Sequence, residues 1–115
     1  MSISAGPPAK PPPGFGDSID ICGRRFVIKY YETITCTEDG ELDGRCIVNR
    51  WEIWIAVKDR QPFFIADTLW HEIAAHTPLA YVEDGASNES HVLMLEFAQP
   101  SILRANPWFA DLFSA

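Results

Sequence analysis

The chain has 115 residues, 47% hydrophobic and 22% charged, a composition that fills one modest core and excludes a wholly disordered chain. Nine Lys and Arg against sixteen Asp and Glu give a net charge of -7. That balance argues against nucleic acid, whose phosphates require a basic surface, and against an anionic membrane surface. No run approaches the length of a transmembrane helix, and the first residues lack the basic-then-apolar pattern of a signal peptide. Cys22, Cys36 and Cys46 are odd in number and form no CxxC, so they read as reduced thiols of a cytoplasmic compartment rather than a disulfide framework or a cysteine-rich zinc site.

In chain order, residues 1–16 read as a flexible proline-rich arm. Between Ala5 and Gly16 lie five prolines and three glycines, which suit neither a helix nor a central strand. Such an arm is either a lead-in or a docking peptide for a partner. The folded domain is expected over residues 17–115. Ser18 to Cys22 alternates with period two, Gly23-Arg24 reads as a turn, and Arg25 to Tyr31 is rich in strand formers, which together predict a hairpin. Cys36 to Gly44 is acidic and turn-rich, with no calcium-loop spacing. A second hairpin is predicted from Arg45–Val48, a turn at Asn49-Arg50, and Trp51–Val57. In its second strand Trp51, Ile53, Ile55 and Val57 share one face, with Glu52, Trp54 and Ala56 on the other.

Helical spacing begins at Pro62. Residues 62–77 place Ile65, Leu69, Ile73 and His76 at roughly helical intervals, and Pro78 stops the run. Residues 83–88 read as a loop ending in an N-cap at Ser87 or Asn88. Residues 89–99 predict a second helix, Pro100-Ser101 the start of a short third, and Asn106-Pro107 a last turn carrying Trp108, Phe109, Leu112 and Phe113 onto the core. Strands first and helices afterwards predict an α+β fold: a small, mainly antiparallel sheet of two hairpins, covered on one face by two to three helices. The acid excess is uneven. Residues 61–115 hold one basic residue, Arg104, against seven acidic ones, a solvated face or a surface for a cation or basic partner.

One constellation could carry chemistry: His71-Glu72-Ile73-Ala74-Ala75-His76. In the zinc-hydrolase helix HExxH, histidines at i and i+4 share a face, and the glutamate acts as general base on metal-bound water. Here the histidines are five apart, which leaves them about 140° apart on an ideal helix. Three readings stand. A π-bulge could return both histidines to one face, as in the HExxGH motif of dipeptidyl-peptidase III. The site could be a decayed one. Or His71 and His76 could be ordinary helix residues.

Beyond the motif, residues 43–113 resemble the small phage and prophage metallopeptidase-like proteins, single-domain mini-gluzincins related to the ImmA/IrrE peptidases. The resemblance rests on the hairpin Gly44-Arg45-Cys46-Ile47 to Glu52-Ile53-Trp54-Ile55, on Thr68-Leu69-Trp70-His71-Glu72-Ile73, on a helix opening with Glu89, and on Leu103-Arg104-Ala105-Asn106-Pro107. It implies a zinc site with His71 as first ligand, Glu72 as general base and Glu89 as the third, gluzincin-type ligand. The position of the second histidine is Ala75, with His76 one residue later, and His76 is the expected second ligand, so that zinc would be held by His71, His76 and Glu89. It further implies a peptide or protein substrate, a phage assembly partner reached through the N-terminal arm, and a location in the bacterial cytoplasm or the phage particle. A catalytically inactive relative serving as a phage binding module is the alternative. Read on its own, Glu89 equally suits the first turn of a helix by complementing the dipole. His91 lies about 200° around from it and reads as a solvent-facing residue, and Glu83 and Asp84 read as loop charges.

Overall fold

The structure is a computed structural model that describes residues 2–76 and 88–114. Among the described residues it is an α+β fold of two sheets and three helices. Strand β2 (Ser18–Ile21) and strand β3 (Arg24–Tyr31) form the first predicted hairpin. Its turn is Cys22-Gly23, one residue earlier than the sequence reading. Both residues have positive φ, 52° and 87°, which the tight turn requires of its two central residues. The second predicted hairpin is β6 (Gly44–Ile47) with β7 (Glu52–Ala56). A single 3-10 turn, Val48–Arg50, and a left-handed Trp51 join them. Trp51 is anchored by an edge-on contact with Phe26 and by the Arg24 guanidinium, 3.7 Å above its ring.

The two hairpins meet through a parallel pair. Strand β3 aligns with β7, Val27 beside Glu52 through Tyr31 beside Ala56, and the sheet order is β2-β3-β7-β6. The alternation of side chains sorts the two faces. Ile19, Ile21, Phe26, Ile28, Tyr30, Ile53 and Ile55 are buried on one face. On the opposite face Lys29 meets Glu52 at 3.2 Å and Tyr31 packs edge-on against Trp54. Trp54, read as a residue of the more polar face, also donates its Nε1–H to Glu52.

Helix α1 (Pro62–His76) lies against β6 and β7, and helix α2 (Asn88–Ala105) against β2. Ile65, Leu69 and Ile73 from α1, Ala98 and Ile102 from α2, and Phe109 from α3 (Pro107–Asp111) complete one core with the sheet. Residues 88–105 are a single helix, not one ending near Gln99 with a new start at Pro100. Pro100 removes one backbone donor, yet Ala98 and Ile102 are buried on either side of it and hold the helix to the core. The expected N-cap at Ser87 and the loop readings of Glu83 and Asp84 lie outside the described residues.

The proline-rich segment is laid along the domain. Strand β1 (Ile3–Ala5) pairs with β4 (Ile34–Cys36), which pairs in turn with β5 (Gly40–Leu42) in a second, three-stranded sheet. The prolines lack N–H groups but keep their carbonyls, and these accept: Glu32 donates to Pro7 and Phe15 to Pro12. Phe15 meets Tyr30 and Trp108, the Tyr30 hydroxyl donates to the Gly16 carbonyl at 2.6 Å, and a Cβ on Gly16 would stand 2.6 Å from the Trp108 ring. Where the sequence predicts a flexible arm, backbone bonds between segments far apart in sequence tie it to the domain: Gly6 donates to the Thr33 carbonyl, Ala9 to the Tyr30 carbonyl and Glu32 to the Pro7 carbonyl. The acidic Cys36–Gly44 stretch likewise becomes the β4–β5 hairpin.

Asn106 has a role that its sequence position does not announce. β2 is an edge of the four-stranded sheet, and an edge leaves outward N–H and C=O groups open. Asn106 closes both at Asp20: its Oδ1 accepts from the Asp20 N–H at 2.8 Å, and its Nδ2 donates to the Asp20 carbonyl at 2.7 Å. Nδ2 also donates to the Ile102 carbonyl at 2.8 Å, tying the end of α2 to the sheet. No helix among the described residues is long and apolar enough to cross a membrane.

Candidate metal centre

Helix α1 presents His71, Glu72 and His76 toward the strand β6 side of the domain. Ile65, Leu69 and Ile73 fix the rotation of the helix by taking the core face. That rotation puts Glu72 at the border of the core, 5% exposed, while His71 and His76 remain exposed. Gly44, the first residue of β6, permits the approach. A Cβ there would stand 2.9 Å from Thr68 Cγ2, 3.2 Å from the Trp54 carbonyl oxygen and 3.3 Å from Glu72 Cγ.

His71 and His76 come together. Their ring centroids are 5.2 Å apart, edge to face. Ligand atoms of His71, Glu72 and His76 all lie within 4.8 Å of one another. The helix is α-helical through residues 62–76, with no π-turn. The ideal-helix separation of about 140° therefore does not keep the side chains apart. The reason lies in the residue between them. Glu72 and His76 are i and i+4, neighbours on one face, and long helical side chains lean toward the N-terminus. His76 thus reaches back past Glu72 toward His71. The Glu72–His76 spacing was the sequence signal for this cluster; attention to the histidine pair alone passes over it.

The carboxylate is electrostatically poised. Burial pushes the Glu72 pKa up, opposed by the charges of His76, His71 and Arg45 and by a hydrogen bond from the Cys46 backbone. Its Oε1 is buried with no hydrogen-bond partner. Cys46, beside it, has its thiol pushed up to about 11, chiefly by burial and then by the Glu72 charge, so it stays protonated at neutral pH. Two hollows open at the cluster and share Gly44, His71 and Glu72. One, of about 360 Å³, is completed by Asp43, Asp67 and Thr68. The other, of about 390 Å³, is completed by Leu42, Arg45, Cys46 and His76.

Two imidazoles and one carboxylate are a donor set suited to zinc or a similar divalent ion. An orphaned buried carboxylate oxygen among them fits such a group, because an isolated buried acceptor is otherwise costly. Glu89 falls in the first turn of α2 and His91 two residues on; the readings of their side chains lie outside the described residues. No known protein family, curated protein or solved structure matches the chain.

Proposed function

We propose that this chain is a zinc-binding, metallopeptidase-like domain whose ion is held by His71 and His76, with Glu72 beside it. The observation that supports it is the convergence of the three donors around a buried, unpartnered Oε1. The resemblance to the small phage metallopeptidase-like proteins adds Glu89 as a further ligand and a peptide or protein as substrate. A zinc ion in such a site supplies Lewis acidity toward a carbonyl and activates water at neutral pH. Glu72 supplies the base in the hydrolytic reading. Burial raises its proton affinity toward the range where a carboxylate takes a proton from water efficiently. Its burial also excludes solvent from that oxygen until a ligand arrives.

A second reading, a catalytically inactive binding module, has its own support. Glu72 stands among the candidate donors rather than beside a pair of histidine ligands. A glutamate engaged as ligand is no longer a free base, and a metal site so built is structural. The experiment that separates the readings begins with metal content by mass spectrometry on protein purified without chelator. One zinc per chain, lost in His71→Ala and His76→Ala, is expected; no zinc after metal is added back overturns the metal site. Glu89→Ala tests the further ligand. A peptidase screen then follows, with Glu72→Gln as control. Turnover that disappears in Glu72→Gln supports the enzyme, and zinc binding without turnover supports the binding module.

A further inference from the structure

The hollow on the Asp43 side of the cluster has a chemistry that the metal donors do not use. Asp67 is one helical turn before His71 on α1, exposed, and its carboxylate has no hydrogen bond or ion pair among the described residues. Asp43 faces the same hollow and is held in place: Arg60 donates its Nε–H to Asp43 Oδ1 at 3.0 Å and contacts the same oxygen through Nη2 at 3.0 Å. Arg60 also reaches Glu41 at 3.3 Å, so its charge is divided between two acids. The third wall is Glu72, 5% exposed, with its Oε1 unpartnered. Neither aspartate belongs to the group of donors that converge within 4.8 Å. They line the hollow beside that group, and a space of about 360 Å³ admits an organic group much larger than a metal ion.

We propose that this hollow is a subsite for a positively charged side chain, a guanidinium or ammonium group, of a peptide bound across the His71–Glu72–His76 cluster. The location of the subsite rests on the functional reading above; its charge preference rests on Asp43 and Asp67. Opposite charge at a partly exposed site steers a ligand and fixes its register more than it adds affinity. The adjoining hollow carries Arg45 in place of the aspartates. Glu72 lines both hollows, so the two sides of the cluster differ in the charged groups added to it, aspartates on one and Arg45 on the other, which orients a bound peptide. The excess of acidic residues in the second half of the chain adds a long-range field of the same sign.

The test uses the full chain and pools of fluorescein-labelled random octapeptides with Arg, Lys, citrulline or norleucine fixed at the centre. Anisotropy is read at low ionic strength, with and without zinc, and zinc content is measured in the same samples. The Arg or Lys pool is expected to bind about threefold or more tighter than its citrulline or norleucine counterpart, the scale of an exposed charge pair. The preference should fall to near unity in Asp67→Asn and shrink with added salt. Comparing the Arg and Lys pools tells a planar fork from a point charge. Equal binding by charged and neutral pools, no measurable binding by any pool, or a preference unchanged in Asp67→Asn overturns the subsite. A preference that persists in protein holding no zinc supports the subsite while the metal reading fails; zinc bound without any preference is the converse.

Discussion

Two polar side chains are buried to the same degree in this domain, at opposite edges of one sheet, and they are treated in opposite ways. Asn106 and Glu72 are each 5% exposed. Asn106 stands at the β2 edge with three hydrogen bonds between 2.7 and 2.8 Å, each to a backbone group. Glu72 stands by β6, the other edge, with Oε1 unpartnered. A buried polar group that serves the fold is satisfied, because leaving it open costs more than the bond returns. A buried charge left open is a local conflict, and such conflicts concentrate where a protein binds or reacts.

Asn106→Ala is the strongest way to break the satisfied side of this pair. It strands the Asp20 N–H and carbonyl, while the Ile102 carbonyl keeps its bond from the backbone N–H of residue 106, and should cost about 3 kcal/mol, within the range for opening two backbone groups. A lower urea midpoint with unchanged slope checks it. Little or no loss would mean that water closes the edge as well as the side chain does.

Zinc should act on the unsatisfied side with nearly the same magnitude. Ion at a hundred times its dissociation constant stabilises the folded chain by about 2.7 kcal/mol if it binds only that state. The rise in melting temperature should be absent in His71→Ala. In metal-free protein, Glu72→Gln should raise stability by up to about 1 kcal/mol, since it removes a buried charge. The signs of the Asn106 and Glu72 substitutions are therefore opposite, and a destabilising Glu72→Gln would erase the comparison.

Gly44→Ala sharpens it from the side of packing. The added methyl meets Thr68, the Trp54 carbonyl and Glu72 at 2.9 to 3.3 Å, and overpacking of this kind costs about 1–2 kcal/mol. It should also weaken zinc binding by displacing Glu72, whereas Asn106→Ala should leave zinc affinity per folded molecule unchanged. Titration of both variants with zinc distinguishes a local effect from a global one.

The smallest effect belongs to a charge on the other face of the sheet. The Trp54 Nε1–H holds the Glu52 carboxyl below its ordinary value; burial opposes it, and Lys29 and then Arg50 add to the lowering. A lowered pKa contributes stability above the unfolded value, and that stability is lost as pH falls through the folded one. Glu52→Gln should cost about 0.5 kcal/mol at neutral pH after allowance for solvent screening. The difference from the parent should vanish as the medium is acidified past the usual carboxylate range, which denaturant midpoints across a pH series would show.

Much of the architecture was legible before the fold was known. Period-two alternation marked both hairpins, and helical spacing with Pro62 at its start marked α1, because these patterns record which face of a local element is buried. His71 and Glu72 were legible as chemistry for the same local reason. What escaped were relations between distant segments. Nothing in Arg24–Tyr31 or Glu52–Ala56 alone says that they pair in parallel, and nothing in the proline-rich segment says that the Pro7 carbonyl meets Glu32 or that Ala9 meets Tyr30. Nor does a five-residue spacing between histidines convey how far two side chains reach.

The sequence by itself determined the order of elements, the buried stripe of each, the acidic balance and the residues capable of holding a metal, since all of these follow from local pattern and composition. Tertiary structure alone decided that His76 reaches His71, that Gly44 lets strand and helix close on Glu72, and that Asn106 seals the far edge. Those outcomes depend on which surfaces meet. Burial of the shared core fixes the rotation of α1 against β6, and that rotation leaves one carboxylate oxygen without a partner.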